Sequence, residues 1–165
     1  MSKAAYTDHL GRPLVAVTGM GVVSSLGQGV TDNWSALTSG KSGIHPITRF
    51  PSEGLSTQIC GTVDFIDIPA PNAVERSFAF ARETTIEALA QAGITGEFGG
   101  PLFLAAPPIE PEWSARFELG DRVKPEQMTG NAYEQFLAVL RDKADPAFHE
   151  AVLFGSISER LAGLF

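Results

Sequence analysis

Residues 13–29 read PLVAVTGMGVVSSLGQG, and the fold follows from how this stretch is understood. Leu14, Val15, Ala16 and Val17 form a short uncharged apolar run with β-branched members, which predicts a buried strand. Gly19 and Gly21 then break it into a turn that stays apolar as far as Leu26. A strand followed by glycine-x-glycine also opens the dinucleotide fingerprint, where glycines let a pyrophosphate approach a helix N-terminus. Three features count against that use. Ser24 stands where the third glycine belongs, and the next helix is expected only from about Thr31. Where an acidic residue should close a second strand, the sequence has Arg49-Phe50-Pro51. The glycines are therefore expected to serve the fold, and a small nucleotide-binding module is the competing reading.

Outward from this turn the chain alternates between strand and helix signals. Thr31 or Asp32 can cap a short helix carrying Trp34 and Leu37, with Gly40 placed to end it. Residues 41–55, rich in Gly, Pro and Ser, predict a loop, and 56–63 (STQICGTV) a strand. The clearest helix is 73–92. Asn72 and Glu75 have capping-box spacing, Gly93 sits at C′, and Val74, Phe78, Ala81, Thr85, Ala88, Leu89 and Ala92 recur at helical intervals. Residues 101–106 (PLFLAA) predict a second buried strand, ended by Pro107-Pro108; the Pro- and charge-rich stretch 107–127 gives no assignment. Asn131 and Glu134 can cap a helix presenting Tyr133, Phe136, Leu137 and Leu140. Asp145-Pro146 reads as N-cap and N1 of another, broken near Gly155 and resuming through Ile157, Leu161, Leu164 and Phe165. No internal repeat, low-complexity tract or heptad occurs. The alternation gives an α/β class. An amphipathic segment that reaches the last residue without a polar tail predicts a chain cut within a longer one.

Composition narrows the function. The chain has 165 residues, 44% of them apolar, enough for a packed core. A formal charge of −7 argues against nucleic-acid binding, because no basic stripe can neutralise phosphates, and against anionic membrane surfaces. Cys60 is the single cysteine, which rules out an internal disulfide and a thiolate metal cluster. The N-terminus lacks a signal-peptide core and no apolar run approaches the ~20 residues of a membrane span. A cytoplasmic protein is expected.

The spaced elements together resemble the opening of elongating β-ketoacyl-acyl-carrier-protein synthases, the condensing enzymes of fatty-acid synthesis. The resemblance is carried by Val17-Thr18-Gly19-Met20-Gly21, Val23-Ser24-Ser25-Leu26-Gly27, Trp34 to Leu37, Gly40 to Ile44, and Ile47 to Phe50. Cys60-Gly61-Thr62-Val63 is similar to the family's next strand. Val74-Glu75-Arg76, Phe80-Ala81 and Glu87-Ala88-Leu89 to Ala92-Gly93 are similar to its following helix. The likeness is dense over residues 14–93, weak over 101–150 and returns faintly at 155–165.

That resemblance implies the N-terminal part of a thiolase-like αβαβα layered fold, usually homodimeric, needing no cofactor, with acyl carrier protein as partner. A cysteine at a helix N-terminus accepts the acyl group, and two histidines assist decarboxylation of the malonyl unit; general physics favours a thiolate and an oxyanion at such a site. All three groups are expected beyond residue 165, so no catalytic residue lies in this chain and residues 1–165 alone should be inactive. Ile109 and Phe148 stand by position where relatives line the acyl pocket, although prolines and Glu110 replace the family's glycines there and mark 107–150 as divergent. Arg76, Arg82, Arg122 and Lys124 are the cations that could meet an acidic carrier protein; solvated surface charge is the plainer role for each. Cys60 stands at a strand position where relatives carry a small apolar residue, and fits core filler better than a nucleophile. His9, His45 and His149 lack metal-ligand spacing and read as surface or structural residues. A non-catalytic subunit of the same fold, comparable to chain-length factors, is the alternative within the family.

Overall fold

The computed structural model describes residues 6–68, 72–106, 121, 131–142, 146–153 and 155–165. In chain order these hold β1 (Val23–Ser24), β2 (Gly27–Gln28), α1 (Val30–Thr38), β3 (His45–Pro46), β4 (Ile59–Cys60), α2 (Ala73–Gln91), α3 (Ala132–Asp142), α4 (Pro146–Ala151) and α5 (Ser156–Ala162). The strands form two antiparallel pairs, β1 with β2 (Val23 opposite Gln28) and β3 with β4 (His45 opposite Cys60).

Helix α2 organises the rest. Its start is fixed as the sequence predicts: the Asn72 side chain accepts a hydrogen bond from the Glu75 N–H at 2.9 Å. Its end is a glycine termination, with Gly93 at φ 70° and the N–H groups of Gly93 and Ile94 donating to Ala90 and Leu89. The expected box is only half made, because the Glu75 carboxylate turns to α5 and grips Arg160 at 2.8 and 3.0 Å. The same guanidinium lies 4.0 Å from the centre of the Phe78 ring. Beside this pair α5 packs on α2, and its Ile157 and Leu161, with Val74, are the deepest apolar side chains described.

The first predicted strand departs from expectation. Among the described residues no ladder forms over 14–18, and Val15 and Val17 are 95% and 81% exposed. Residues 101–106 behave alike, with no ladder and Phe103 89% exposed. Apolar residues of these types are buried only where a neighbouring element covers them, and among the described residues none does so. The strand expected over 56–63 shrinks to Ile59–Cys60, and the loop before it supplies the partner, His45–Pro46.

Helix α1 ends as predicted, with Gly40 at φ 71° and the Gly40 and Lys41 N–H groups bonding back to Leu37 and Ala36. It does not begin as predicted. Neither Thr31 nor Asp32 caps it; Gly29 is the N-cap and offers no side chain. Its buried residues are Asn33 and Ala36, whereas Trp34 and Leu37 point to solvent. In α3 the Asn131 carboxamide accepts from the Tyr133 N–H at 3.1 Å, but Tyr133, expected on the buried face, is exposed. Helix α4 begins at Pro146 as expected, and the break near Gly155 precedes α5. The unassigned stretch 107–127 lies outside the described residues except for Asp121. No helix described is long and apolar enough to cross a membrane.

Candidate functional site

The glycine turn is held against α2 by close backbone contacts. A Cβ on Gly19 would overlap the Ala88 carbonyl oxygen, and one on Gly21 would overlap that of Thr84. Neither glycine has a positive φ, so close approach alone calls for them. Side chains spaced four apart on α2 then bind the turn's backbone. Gln91 accepts from the Met20 N–H at 2.6 Å. Glu87 accepts from Val22 at 2.9 Å and from Val30, the first residue of α1, at 2.6 Å. Glu83 instead meets a side chain, accepting from the Gln28 carboxamide Nε2 at 3.0 Å. Glu87 thus supplies the N-terminal cap that α1 lacks locally, placing a carboxylate at the positive end of the helix dipole.

Behind the turn, buried Asn33 donates to the carbonyls of Gly27 and Gly29 at 2.9 and 2.8 Å and accepts from the Ser24 hydroxyl. These bonds lock the β1–β2 hairpin onto α1. Glu87 stands out in the sequence only as part of the family's helix motif, and Asn33 does not stand out at all. The available signal was the run of acceptor side chains 83, 87 and 91 lying beside the predicted apolar stripe at the same helical spacing.

Of the predicted site residues, Arg76 and Arg82 lie among those described, as do Cys60 and the histidines. Cys60 is half-buried in the β3–β4 pair opposite His45, away from any helix start. His45 meets the Thr62 hydroxyl at 3.0 Å, which in turn donates to Asp64 at 2.6 Å. His9 and His149 are exposed. Among the described residues no group of His, Cys, Asp and Glu is arranged to hold a metal. Arg76 lies half-buried beside Arg49, Asp64 and Asp67 in an open groove of about 410 Å³. Arg82 is exposed and pairs with Glu83. Ile109, Arg122, Lys124 and the Phe148 side chain lie outside the described residues.

An enclosed apolar cavity among the described residues, lined by Thr85, Leu89, Phe98, Leu102, Leu161 and Phe165, holds about 90 Å³. Ligand sites run to roughly 300–1,000 Å³, so this space between α2 and α5 is a packing gap. Two charge shifts bear on the framework. Hydrogen bonding from Arg160 holds the Glu75 carboxyl below its ordinary value, and Glu75 correspondingly raises Arg160. Near the N-terminus, Asp8 is lowered by the Arg12 backbone N–H and then by its side chain.

A sequence profile of the beta-ketoacyl synthase N-terminal domain matches residues 13–98, the span that includes the turn, α1 and the whole of α2. The chain belongs to the β-ketoacyl synthase family. Over 86 residues it is 41% identical to 3-oxoacyl-[acyl-carrier-protein] synthase 2 of Coxiella burnetii, a match covering 48% of this chain and 21% of that protein. It is 36% identical over 115 residues to a putative polyketide beta-ketoacyl synthase 1 of Streptomyces cyaneus, covering 66% of this chain and 25% of the relative. A solved structure, the ishigamide ketosynthase/chain length factor, superposes with a TM-score of 0.62 at 25% identity, over 89% of this chain and 36% of that one. The matched part of these curated relatives is thus only a fifth to a quarter of their length. The fold is the N-terminal part of the α/β, thiolase-like architecture of ketosynthases. The glycine motif therefore belongs to a condensing-enzyme framework.

Proposed function

We propose that these residues are the N-terminal part of a 3-oxoacyl-[acyl-carrier-protein] synthase of fatty-acid biosynthesis. That enzyme joins an acyl thioester to malonyl-acyl-carrier protein by decarboxylative condensation. The observation that carries this reading is the match over 13–98 to the ketoacyl synthase domain, together with the likeness to the Coxiella synthase. The reaction needs a nucleophilic cysteine and two histidines that the relatives' remaining length would supply, so activity belongs to the full-length protein, a cytoplasmic homodimer, and residues 1–165 alone turn nothing over. The acidic carrier protein would meet Arg76 and Arg82, and Arg122 and Lys124, by charge complementarity.

The test is a condensation assay on the full-length synthase containing these residues, with acyl- and malonyl-acyl-carrier protein. Release of carbon dioxide with formation of the 3-oxoacyl product supports the reading; its absence with every substrate pair refutes it. The solved neighbour, a ketosynthase/chain length factor, favours one second reading, a non-catalytic partner subunit. In that case the position of the nucleophile carries a residue other than cysteine. The divergent region 107–150, with Ile109 and Phe148, is proposed to alter acyl chain-length preference. Competition among acyl chains in the same assay would show a preference shifted from that of the Coxiella enzyme, and an identical preference would refute it.

A further inference from the structure

Across the β3–β4 pair runs a chain of side-chain hydrogen bonds. Half-buried His45 of β3 stands in register opposite Cys60 of β4. Its Nδ1 lies 3.0 Å from the Pro46 carbonyl oxygen. A carbonyl can only accept, so Nδ1 carries a proton and donates it. Its Nε2 lies 3.0 Å from the Thr62 hydroxyl oxygen and 3.5 Å from the Thr62 carbonyl oxygen. That hydroxyl donates its one proton to the Asp64 carboxylate at 2.6 Å, and the Thr48 hydroxyl donates to the same oxygen at 3.4 Å.

Counting protons exposes a shortage. With a neutral ring, Thr62 has one hydroxyl proton for two acceptors, the Nε2 lone pair and the Asp64 carboxylate. Either Nε2 faces oxygen lone pairs or Asp64 gives up its shorter bond. A second ring proton removes the conflict: Nε2 donates to Thr62, Thr62 donates to Asp64, and each group is satisfied. The chain then runs from a cation to an anion, and hydrogen bonds with charged partners are the stronger kind. The titratable and charged groups facing it are Cys60 across the pair, Asp64 through Thr62, and Arg49, Asp67 and Arg76, which share the open groove with Asp64. The carboxylates attract an imidazolium and the arginines repel it, but only Asp64 is joined to it by bonds. We propose that His45, Thr62 and Asp64 form a proton-operated clasp on the β3–β4 pair, closed when His45 carries both ring protons and loosened when it gives one up. The clasp also ties this pair to the groove, because Asp64 belongs to both. Its working does not depend on the condensation reaction.

The test is hydrogen–deuterium exchange of the Ile47 amide, which donates to the Gln58 carbonyl at 3.0 Å and so reports whether the pair is closed. In the 165-residue chain its protection, corrected for the intrinsic rate, should fall about tenfold as pH rises from about 5.5 to about 8. His45→Gln, which cannot change charge, should flatten that slope, and so should Thr62→Val. His9→Gln and His149→Gln, both at exposed residues, should keep it. Proton spectra of the unaltered chain give a second measurement that needs no variant to fold. At pH about 5.5 both ring N–H protons of His45 should appear as slowly exchanging signals, while those of His9 and His149 are lost to exchange with water. A flat wild-type profile, a slope that survives His45→Gln, greater protection at the alkaline end, or rapid exchange of the His45 ring protons would each overturn the clasp.

Discussion

Replacing Gly21 by alanine isolates the steric role of the turn. The backbone there is not left-handed, so alanine meets no φ penalty and even lowers the entropy of the unfolded chain by about 0.4–1 kcal/mol. Against this, the new methyl group meets the carbonyl and Cα of Thr84, helix backbone that cannot swing aside as a side chain could. Overpacking of this kind costs about 1–3 kcal/mol. Separating α2 from the turn would also stretch the Glu87 bonds to Val22 and Val30. A net loss of about 1–2 kcal/mol is expected, which at urea slopes of about 1–3 kcal/mol per M moves the unfolding midpoint down by roughly 1 M. Gly99→Ala is the control, since nothing lies within 4 Å of its would-be Cβ and its φ is ordinary; it should be neutral or slightly stabilising. Urea titration followed by circular dichroism compares the two. If Gly21→Ala unfolds at the wild-type midpoint, the turn is not wedged on α2 and the reasoning fails.

Glu87→Ala removes the acceptor of two backbone N–H groups in a half-buried setting and should cost about 2–4 kcal/mol, with Glu87→Gln losing roughly half as much; equal midpoints for both variants and wild type in the same titration would count against the cap. The Glu75–Arg160 pair is partly exposed, so it contributes no more than about 1 kcal/mol. Because the folded-state carboxyl titrates below its unfolded value, this contribution is present above the ordinary carboxylate range near pH ~4.3 and fades as pH falls through the folded-state value. Arg160→Gln should erase that acid-side slope, and an unchanged stability–pH curve would contradict it. Trp34→Ala, at a side chain 67% exposed, should change the chain's stability by less than about 0.5 kcal/mol, read from the same urea midpoints.

What could be read from the sequence was whatever local chemistry decides. Asn72 and Gly93 bound α2 because a side-chain acceptor and a residue free to adopt positive φ are themselves the signals. Gly40 marks the end of α1 for the same reason, and Pro146 the start of α4 because its fixed φ and missing N–H suit the first helical position. The start of α1 is not legible locally, because the acceptor for its Val30 N–H comes from Glu87, 57 positions away, and no rule about neighbouring residues contains that information. The strand signals at 14–17 and 101–106 were read from apolar runs, whose burial depends on a neighbour that the runs do not specify. The capping box at Glu75 lost to a competing cation, Arg160, contributed by α5. Of the functional site, the family is legible from the spaced motifs over 13–98, while Ile109, Phe148, Arg122 and Lys124 lie outside the described residues.

The borrowed cap has a consequence for the order of events as the polypeptide matures. With Gly29 at its threshold and no side chain to start it, a peptide spanning 28–41 has little reason to coil by itself. Asp32 is the carboxylate of its own first turn, but the acceptor that bonds the Val30 N–H comes from Glu87. The cap is therefore expected to close only once residue 87 has been made and α2 has wound. The opening motif is thus expected to gain its last stabilising bond from an element made after it.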